Sequence, residues 1–326
     1  MTLPTLADID AAADTLRGQI IRTPSVRLSH DRIAVLPEGS DVTMKLELFQ
    51  ETGTFKARGV LLAIAAMDDA ARAAGVVAVS GGNHALAVAW GAKKSGISAR
   101  VIMPKATDPA RINGCRALGA EVELCDDIAS AFERMDVLAQ EGATPLHPFE
   151  SPFMTLGAAT VGREILADTP DLEAIVVPVG GGGLISGIAR AVKLQNPEIS
   201  VYGVEPFGAN SMTKSLVAGS PQRIERVATI ADSLGSPLAM PYSFKLAQMH
   251  VDEMVEISDD EMRSAMQRLF DGLKIAAEPA CAASTAAIMG PLQSRLTGKK
   301  IGIIACGSNI GTARFHEILS DGASAP

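Results

Sequence analysis

The strongest constraint is an alternation. Short apolar runs of strand character recur at Thr43 to Phe49, Val76 to Ser80, Ala99 to Met103, Glu121 to Cys125, Ile175 to Pro178, Val201 to Val204 and Ile301 to Cys306. Between them lie amphipathic or alanine-rich stretches of helical period: His84 to Lys94, Pro109 to Leu118, Ile128 to Gln140, Phe153 to Ala167, Leu184 to Leu194, Asp259 to Leu273 and Glu278 to Met289. Strand, helix, strand in that rhythm folds as mostly parallel sheets covered by helices on both faces, so the fold class is α/β. Helix-start chemistry agrees at Asp108 before Pro109 and at Ser258-Asp259-Asp260-Glu261.

With 326 residues there is room for about two domains, or one large elaborated one. At 47% hydrophobic residues and a mean hydropathy of +0.21 the chain can bury a sizeable core. There is no repeat, low-complexity tract or flexible linker, so two lobes would have to pack tightly or interleave, and no appended regulatory domain is expected. The balance of 29 Lys and Arg against 37 Asp and Glu gives −8, which argues against nucleic acid or an anionic lipid surface as partner. Apolar runs such as Ile175 to Gly183 fall short of the roughly 20 residues a membrane helix needs. Asp8 and Asp10 stand where Met1 to Asp10 would carry a secretory signal, so a cytoplasmic protein is expected. Cys115, Cys125, Cys281 and Cys306 lack the spacing of a zinc site and read as reduced thiols.

Four segments at strand ends carry the chemistry. Glu47 to Gly59 places Lys56 between Phe55 and Ala57 after a strand. A lysine in apolar surroundings loses its proton more readily and can form a Schiff base with a carbonyl cofactor, though alone the segment favours a simply solvated lysine, since lysines are seldom buried. Val179-Gly180-Gly181-Gly182-Gly183-Leu184 joins a strand to a helix and can turn its N–H groups on a phosphate; alone it reads equally as a tight turn. It lacks the Lys-Ser/Thr of a P-loop and the spacing of a dinucleotide fingerprint. Ser80-Gly81-Gly82-Asn83-His84 suits a carboxylate, or is an ordinary cap. Ala305 to Asn309 ends the last strand with Cys306. In a parallel α/β sheet ligands bind at the carboxyl ends of strands, where all four are expected, and together they suit pyridoxal phosphate with an amino acid.

These segments, with Arg22-Thr23-Pro24, Val204-Glu205-Pro206 and Glu278-Pro279, follow the order found in fold-type II pyridoxal-phosphate enzymes. The sequence resembles their serine/threonine dehydratase and serine racemase family over nearly its whole length. The resemblance implies a tryptophan-synthase-β-like fold of two lobes, a small one at 49–147 and a large cofactor-binding one from 1–48 and 148–326, and a homodimer. It implies that Lys56 holds the cofactor as a Schiff base and removes the substrate's α-proton. By the same resemblance Phe55 packs on the ring, Asn83 bonds its phenolic oxygen, Gly180, Gly181, Gly182, Gly183 and Leu184 hold the phosphate, and Cys306 faces the ring nitrogen. A neutral thiol there limits the ring as an electron sink and favours elimination. Ser80, Gly81, Asn83 and His84 would hold the substrate carboxylate.

The implied reaction is dehydration of a β-hydroxy amino acid of the serine or threonine type to a 2-oxo acid and ammonia. The alternatives are 3-hydroxyaspartate as substrate, an amino-acid racemase with side elimination, or a catalytically inactive cofactor-binding protein. Racemases of the family carry a second serine after the position of Ser80; Gly81 stands here, which argues for the dehydratase. A magnesium or calcium site is implied at Glu205, the Ala209 carbonyl and Ser211, weakened by serine in place of a carboxylate, and Glu205 bonding the backbone is the other reading.

Overall fold

The computed structural model describes residues 3–322; Met1 and Thr2 of the amino-terminal stretch, and 323–326, lie outside it. Among the described residues the strands are β1 (Ser25–Leu28), β2 (Asp41–Lys45), β3 (Val76–Val79), β4 (Ala99–Pro104), β5 (Glu121–Cys125), β6 (Thr144–Pro145), β7 (Ala174–Pro178), β8 (Ser200–Pro206), β9 (Glu253–Ile257) and β10 (Lys300–Ile304). The helices are α1 (Leu6–Leu16), α2 (Lys56–Ala65), α3 (Asp69–Ala74), α4 (Asn83–Ser95), α5 (Pro109–Ala117), α6 (Ile128–Gln140), α7 (Pro152–Asp168), α8 (Gly183–Gln195), α9 (Ser211–Ala218), α10 (Pro241–His250), α11 (Asp259–Leu273), α12 (Pro279–Met289) and α13 (Thr312–Gly322).

The strands form two sheets. The larger runs β1-β2-β10-β7-β8-β9, parallel except for the antiparallel edge strand β1. The smaller runs β5-β4-β3-β6, all parallel, and its strands fall between residues 76 and 145. Central strands read as unbroken apolar runs because both faces are covered: every residue of β3 and β7 is buried. Edge strand β5 is buried nowhere along its length and alternates polar with apolar. Helix α12 is buried from Pro279 to Ile288, and its Ser284 hydroxyl donates to the Val176 carbonyl of β7 (3.0 Å). An alanine-rich helix without a polar face belongs inside a layered fold. None of the described helices is long and apolar enough to cross a membrane.

Helix α2 sets the lysine. Gly59 meets Gly157 of α7 so closely that a Cβ on Gly157 would lie 2.4 Å from the Gly59 nitrogen, so the two backbones touch only because both residues are glycine. One residue earlier Arg58 is fully buried and fully partnered. Its Nε and Nη2 donate to Glu47 (2.8 and 2.7 Å), its Nη1 and Nη2 to Glu164 (2.7 and 3.0 Å), and Nη1 also to the Thr160 hydroxyl (3.0 Å). Lys45 adds a second buried cation, donating to the Thr23 carbonyl and Glu164, both at 2.7 Å. Burial opposes the Arg58 charge, and Glu47 and Glu164 more than restore it, raising its pKa above the ordinary value.

The structure corrects the expected strand at Thr43 to Phe49. β2 ends at Lys45, and the chain turns through short 3-10 segments at Glu47–Phe49 and Glu51–Gly53 before α2 opens at Lys56. The turn needs left-handed backbone at both Thr52 (φ 62°) and Gly53 (φ 67°). Lys56 is therefore a helix-start residue, not a strand-end one. Strands β1, β6 and β9, and helices α1, α2, α3, α9, α10 and α13, add to the elements expected from periodicity.

Candidate active site

The four segments converge on one cavity of about 490 Å³ between the sheets. Backbone pairing draws the Lys56 segment to the end of β10. Leu48 N–H donates to the Ala305 carbonyl (2.8 Å), Phe55 N–H to Cys306 (3.3 Å), and Ser308 N–H to Gly53 (3.0 Å). That seam puts Lys56 and Cys306, 250 positions apart in number, on one wall. The Lys56 ammonium donates to the Pro148 carbonyl and lies 5.0 Å from the centre of the Phe55 ring. Burial pulls its pKa from 10.5 to about 8. Burial pushes the Cys306 thiol well above its ordinary value, so it stays neutral.

The glycine loop follows β7 and opens α8. Val179 N–H still bonds to Val204 (2.8 Å) and Ser186 N–H to Gly182 (2.9 Å). Between them, among the described residues, the N–H groups of Gly180 to Gly183, Leu184 and Ile185 have no backbone acceptor, and no side chain caps the helix. Six successive donors at the positive end of a 13-residue helix form a cradle for a phosphate. Gly182 takes φ +90°. A Cβ on Gly181 would fall 2.3 Å from the Phe149 ring, so glycine there admits that ring against the loop.

A second open helix end faces the same cavity. Ser80 N–H bonds to Ile102 (3.1 Å) and Gly82 N–H to the Ser80 hydroxyl (3.1 Å), while those of Gly81, Asn83 and His84 have no backbone acceptor. This is a place for a carboxylate, built from backbone. The His84 ring is turned away from that role. Its Nε2 lies 2.8 Å from the Leu146 carbonyl, which only accepts, so Nε2 carries the proton and buried Nδ1 is left as an unpartnered lone pair. Burial, with Lys56 nearby, pushes its pKa to about 3. A neutral ring whose N–H is committed elsewhere cannot grip an anion; His84 contributes its backbone N–H alone. Asn83 donates to Glu278 Oε1 (2.7 Å) and the Ser233 hydroxyl (3.1 Å) and accepts from Asn309 (2.8 Å), so both amide hydrogens are engaged. To bond a cofactor oxygen it must exchange one of them. Glu278 is buried, its pKa raised by that burial, with Oε2 unpartnered.

Gly81 has no hydroxyl, but a Cβ placed there would lie 2.7 Å from the Thr107 Oγ1. The wall therefore carries a hydroxyl beside the glycine, from a residue the sequence did not single out. Phe149, Phe132, Arg111 and Ser233 also line the cavity unannounced, since no local motif marks them. His147 accepts at Nδ1 from the N–H groups of Glu150 (2.9 Å) and Phe149 (3.3 Å).

The implied divalent site does not fit. Both Glu205 oxygens are engaged at the start of α9, accepting from Met212 N–H (2.9 Å), Thr213 N–H (2.8 Å) and the Thr213 hydroxyl (2.7 Å). Burial pushes its pKa up to about 7, which weakens it as a cation ligand. Ser211 Oγ is buried without a partner, and among the described residues no group of three His, Cys, Asp or Glu is placed to hold a metal. Glu205 caps α9 with both of its oxygens, the backbone-bonding reading of this residue.

A desolvated amine facing two open helix N-termini across a cleft between parallel sheets defines an α/β enzyme that works on an amine with a bound aldehyde and phosphate. The chain belongs to the family described as pyridoxal-phosphate dependent enzyme, which matches residues 16–307. It is 45% identical over 322 residues to a phenylserine dehydratase of Ralstonia pickettii, covering 98% of each chain. It is 38% identical to an L-threonine ammonia-lyase of Thermotoga maritima, covering 98% of this chain and 79% of that one. The structure of maize serine racemase superposes with a TM-score of 0.91 at 31% identity, over 99% of this chain and 98% of that one. The expected fold-type II architecture is the observed one.

Proposed function

We propose that the protein is a dehydratase, or ammonia-lyase, that converts a β-hydroxy amino acid to a 2-oxo acid and ammonia. The observation that carries this is the pairing of the low-pKa Lys56 amine with the unpartnered N–H run from Gly180 to Ile185 in one cavity. The relatives named for phenylserine and threonine support the substrate class, both being β-hydroxy amino acids. Gly180 to Gly183 and Leu184 hold the cofactor phosphate, Lys56 its aldehyde carbon, Phe55 the ring face and Asn83 the phenolic oxygen. When bound, pyridoxal phosphate supplies an electron-withdrawing ring conjugated to the substrate nitrogen.

The chain's own residues do the rest. Backbone N–H groups of Gly81, Asn83 and His84, with the Ser80 hydroxyl, orient the substrate carboxylate. Lys56, freed by the incoming amine and half-deprotonated near pH 8, takes the α-proton as general base. The proton taken by Lys56 leaves with the β-hydroxyl as water, and the released enamine then adds water and loses ammonia to give the 2-oxo acid. Cys306, held neutral, leaves the ring nitrogen without a full charge and so favours loss of the β-hydroxyl over slow return of the proton. No metal enters this scheme. The small lobe at 49–147, a cytoplasmic location and a homodimer belong to the same proposal; sedimentation of the holoenzyme tests the last.

The test is release of 2-oxo acid and ammonia by the cofactor-loaded protein from β-hydroxy amino acids of both configurations, beside Lys56→Ala. Lys56-dependent release is expected. Accumulation of the opposite enantiomer without 2-oxo acid would replace the dehydratase by a racemase, with the Thr107 hydroxyl as the group to remove next.

A further inference from the structure

Beyond the parts that hold the reacting atoms, the cavity has a wall with no role in the scheme above. Helix α6 opens after an Asp127–Ser130 capping box that fixes its first turn. Ile128 and Phe132, four residues apart and so on one helix face, both line the cavity. Ile128 is 50% exposed, an apolar side chain left at a mouth where water would suit a polar one. Phe132 is held by neighbours. His147 stacks on it at 6.4 Å between ring centres, tilted by 28°, and meets Phe149 edge-on at 4.6 Å. Burial pushes the His147 pKa to about 4, so this three-ring platform is uncharged at neutral pH.

Among the described residues the cavity carries more acids than cations on its walls. Its two basic residues are Lys56, committed to the reaction, and Arg111. Arg111 donates to the carbonyls of Gly81 and Asn309 (both 3.3 Å) and lies 3.6 Å from Asp232. Asp108, Asp232 and Glu278 stand on the same walls, so a second carboxylate would meet three acids and one arginine whose Nη1 and Nη2 are engaged and whose Nε alone is left. Serine or threonine would leave the α6 face unused.

We infer that Ile128 and Phe132, with the platform behind them, form a subsite for an apolar, aryl-sized substituent on the substrate's β-carbon, making aryl β-hydroxy amino acids the preferred substrates. This rests on the dehydratase reading and deepens it. The subsite is independent of whether elimination occurs, because it binds a group that takes no part in bond breaking.

Two readouts keep the claims apart. In kinetics of the holoenzyme, kcat/KM for phenylserine is expected to exceed that for serine, threonine and 3-hydroxyaspartate by at least about tenfold, on the scale of one or two methylenes in an apolar pocket. Phe132→Ala and Ile128→Ser are expected to lower the phenylserine-to-serine ratio by about tenfold or more. In calorimetry, L-phenylalanine, which has no β-hydroxyl to lose, is expected to bind the holoenzyme more tightly than L-alanine or L-aspartate, with the preference falling in both variants. A preference for 3-hydroxyaspartate or serine, or variants that depress every substrate alike, would overturn the subsite. Failure of all substrates to eliminate, with the phenylalanine preference intact, would overturn the dehydratase and leave the subsite standing.

Discussion

Two residues apart on α2, the chain buries two cations in opposite ways. Arg58 has every guanidinium hydrogen engaged and two carboxylates to balance it and Lys45. Lys56 has one carbonyl, a neutral thiol and a neutral imidazole around it. The first region is finished as protein. The second leaves backbone donors without partners and an amine with a single carbonyl, which is how a site differs from a core when both are polar. The satisfied cluster anchors the first turn of α2, and that turn carries the reactive amine.

The comparison breaks most sharply by removing each cation. Lys56→Ala should lower 2-oxo acid release by about a thousandfold or more, with thermal unfolding unchanged or shifted upward, because it deletes a strained amine and no network. Arg58→Ala should instead destabilise the fold by about 3–5 kcal/mol, read by urea unfolding, because it strands Glu47 and Glu164 as uncompensated buried charges. If the two variants exchanged phenotypes, the division between site and scaffold would be wrong.

Smaller effects sharpen it. Gly181→Ala should weaken capture of pyridoxal phosphate by about tenfold, followed by absorbance titration of the cofactor-free protein, since its Cβ must displace the Phe149 ring from the phosphate loop. The rate of that capture should rise with pH through about 8, where Lys56 loses its proton, rather than near 10.5. The same shift has a sign in stability. Between about 8 and 10.5 the unfolded cofactor-free chain holds a proton that folded Lys56 lacks, so stability gained from this group rises with pH across that window, and Lys56→Ala should flatten the rise. Least in size, Glu205→Ala should lower stability by about 1 kcal/mol through loss of the α9 cap. Magnesium or calcium should leave the melting temperature of the wild-type protein unmoved; a clear shift lost in that variant would restore the metal.

Much of the large sheet and the two anion-binding loops were legible because their signals are local. A run such as Ala174 to Pro178 is apolar without interruption, and glycine clusters punctuate the chain where it turns into α4 and α8. The start of α2 was not legible, since Thr52 adopts a left-handed backbone that only the packing around it sustains. Strand β9 was missed because Glu253 and Glu256 interrupt its apolar pattern at a sheet edge. The tautomer of His84 was not legible either: only the Leu146 carbonyl, 62 residues away in sequence, shows where its proton goes. Phe132 and Phe149 meet through His147, a contact that no spacing rule foretells.

The order of the larger sheet also dictates a timetable. Its second strand, Asp41–Lys45, finds its parallel partner only in Lys300–Ile304, paired Lys45 to Ile304, so the first part of the sheet to leave the ribosome waits for the last. The strands of the smaller sheet, confined to 76–145, meet neighbours from their own stretch of chain, whose loops are far shorter to close. A nascent chain arrested short of Lys300 would therefore present a formed small sheet and a glycine loop beside an open edge, with the reactive lysine lacking the seam that holds it. Capture of the cofactor is thus a late event in the life of each molecule, and its onset reports that synthesis has passed β10.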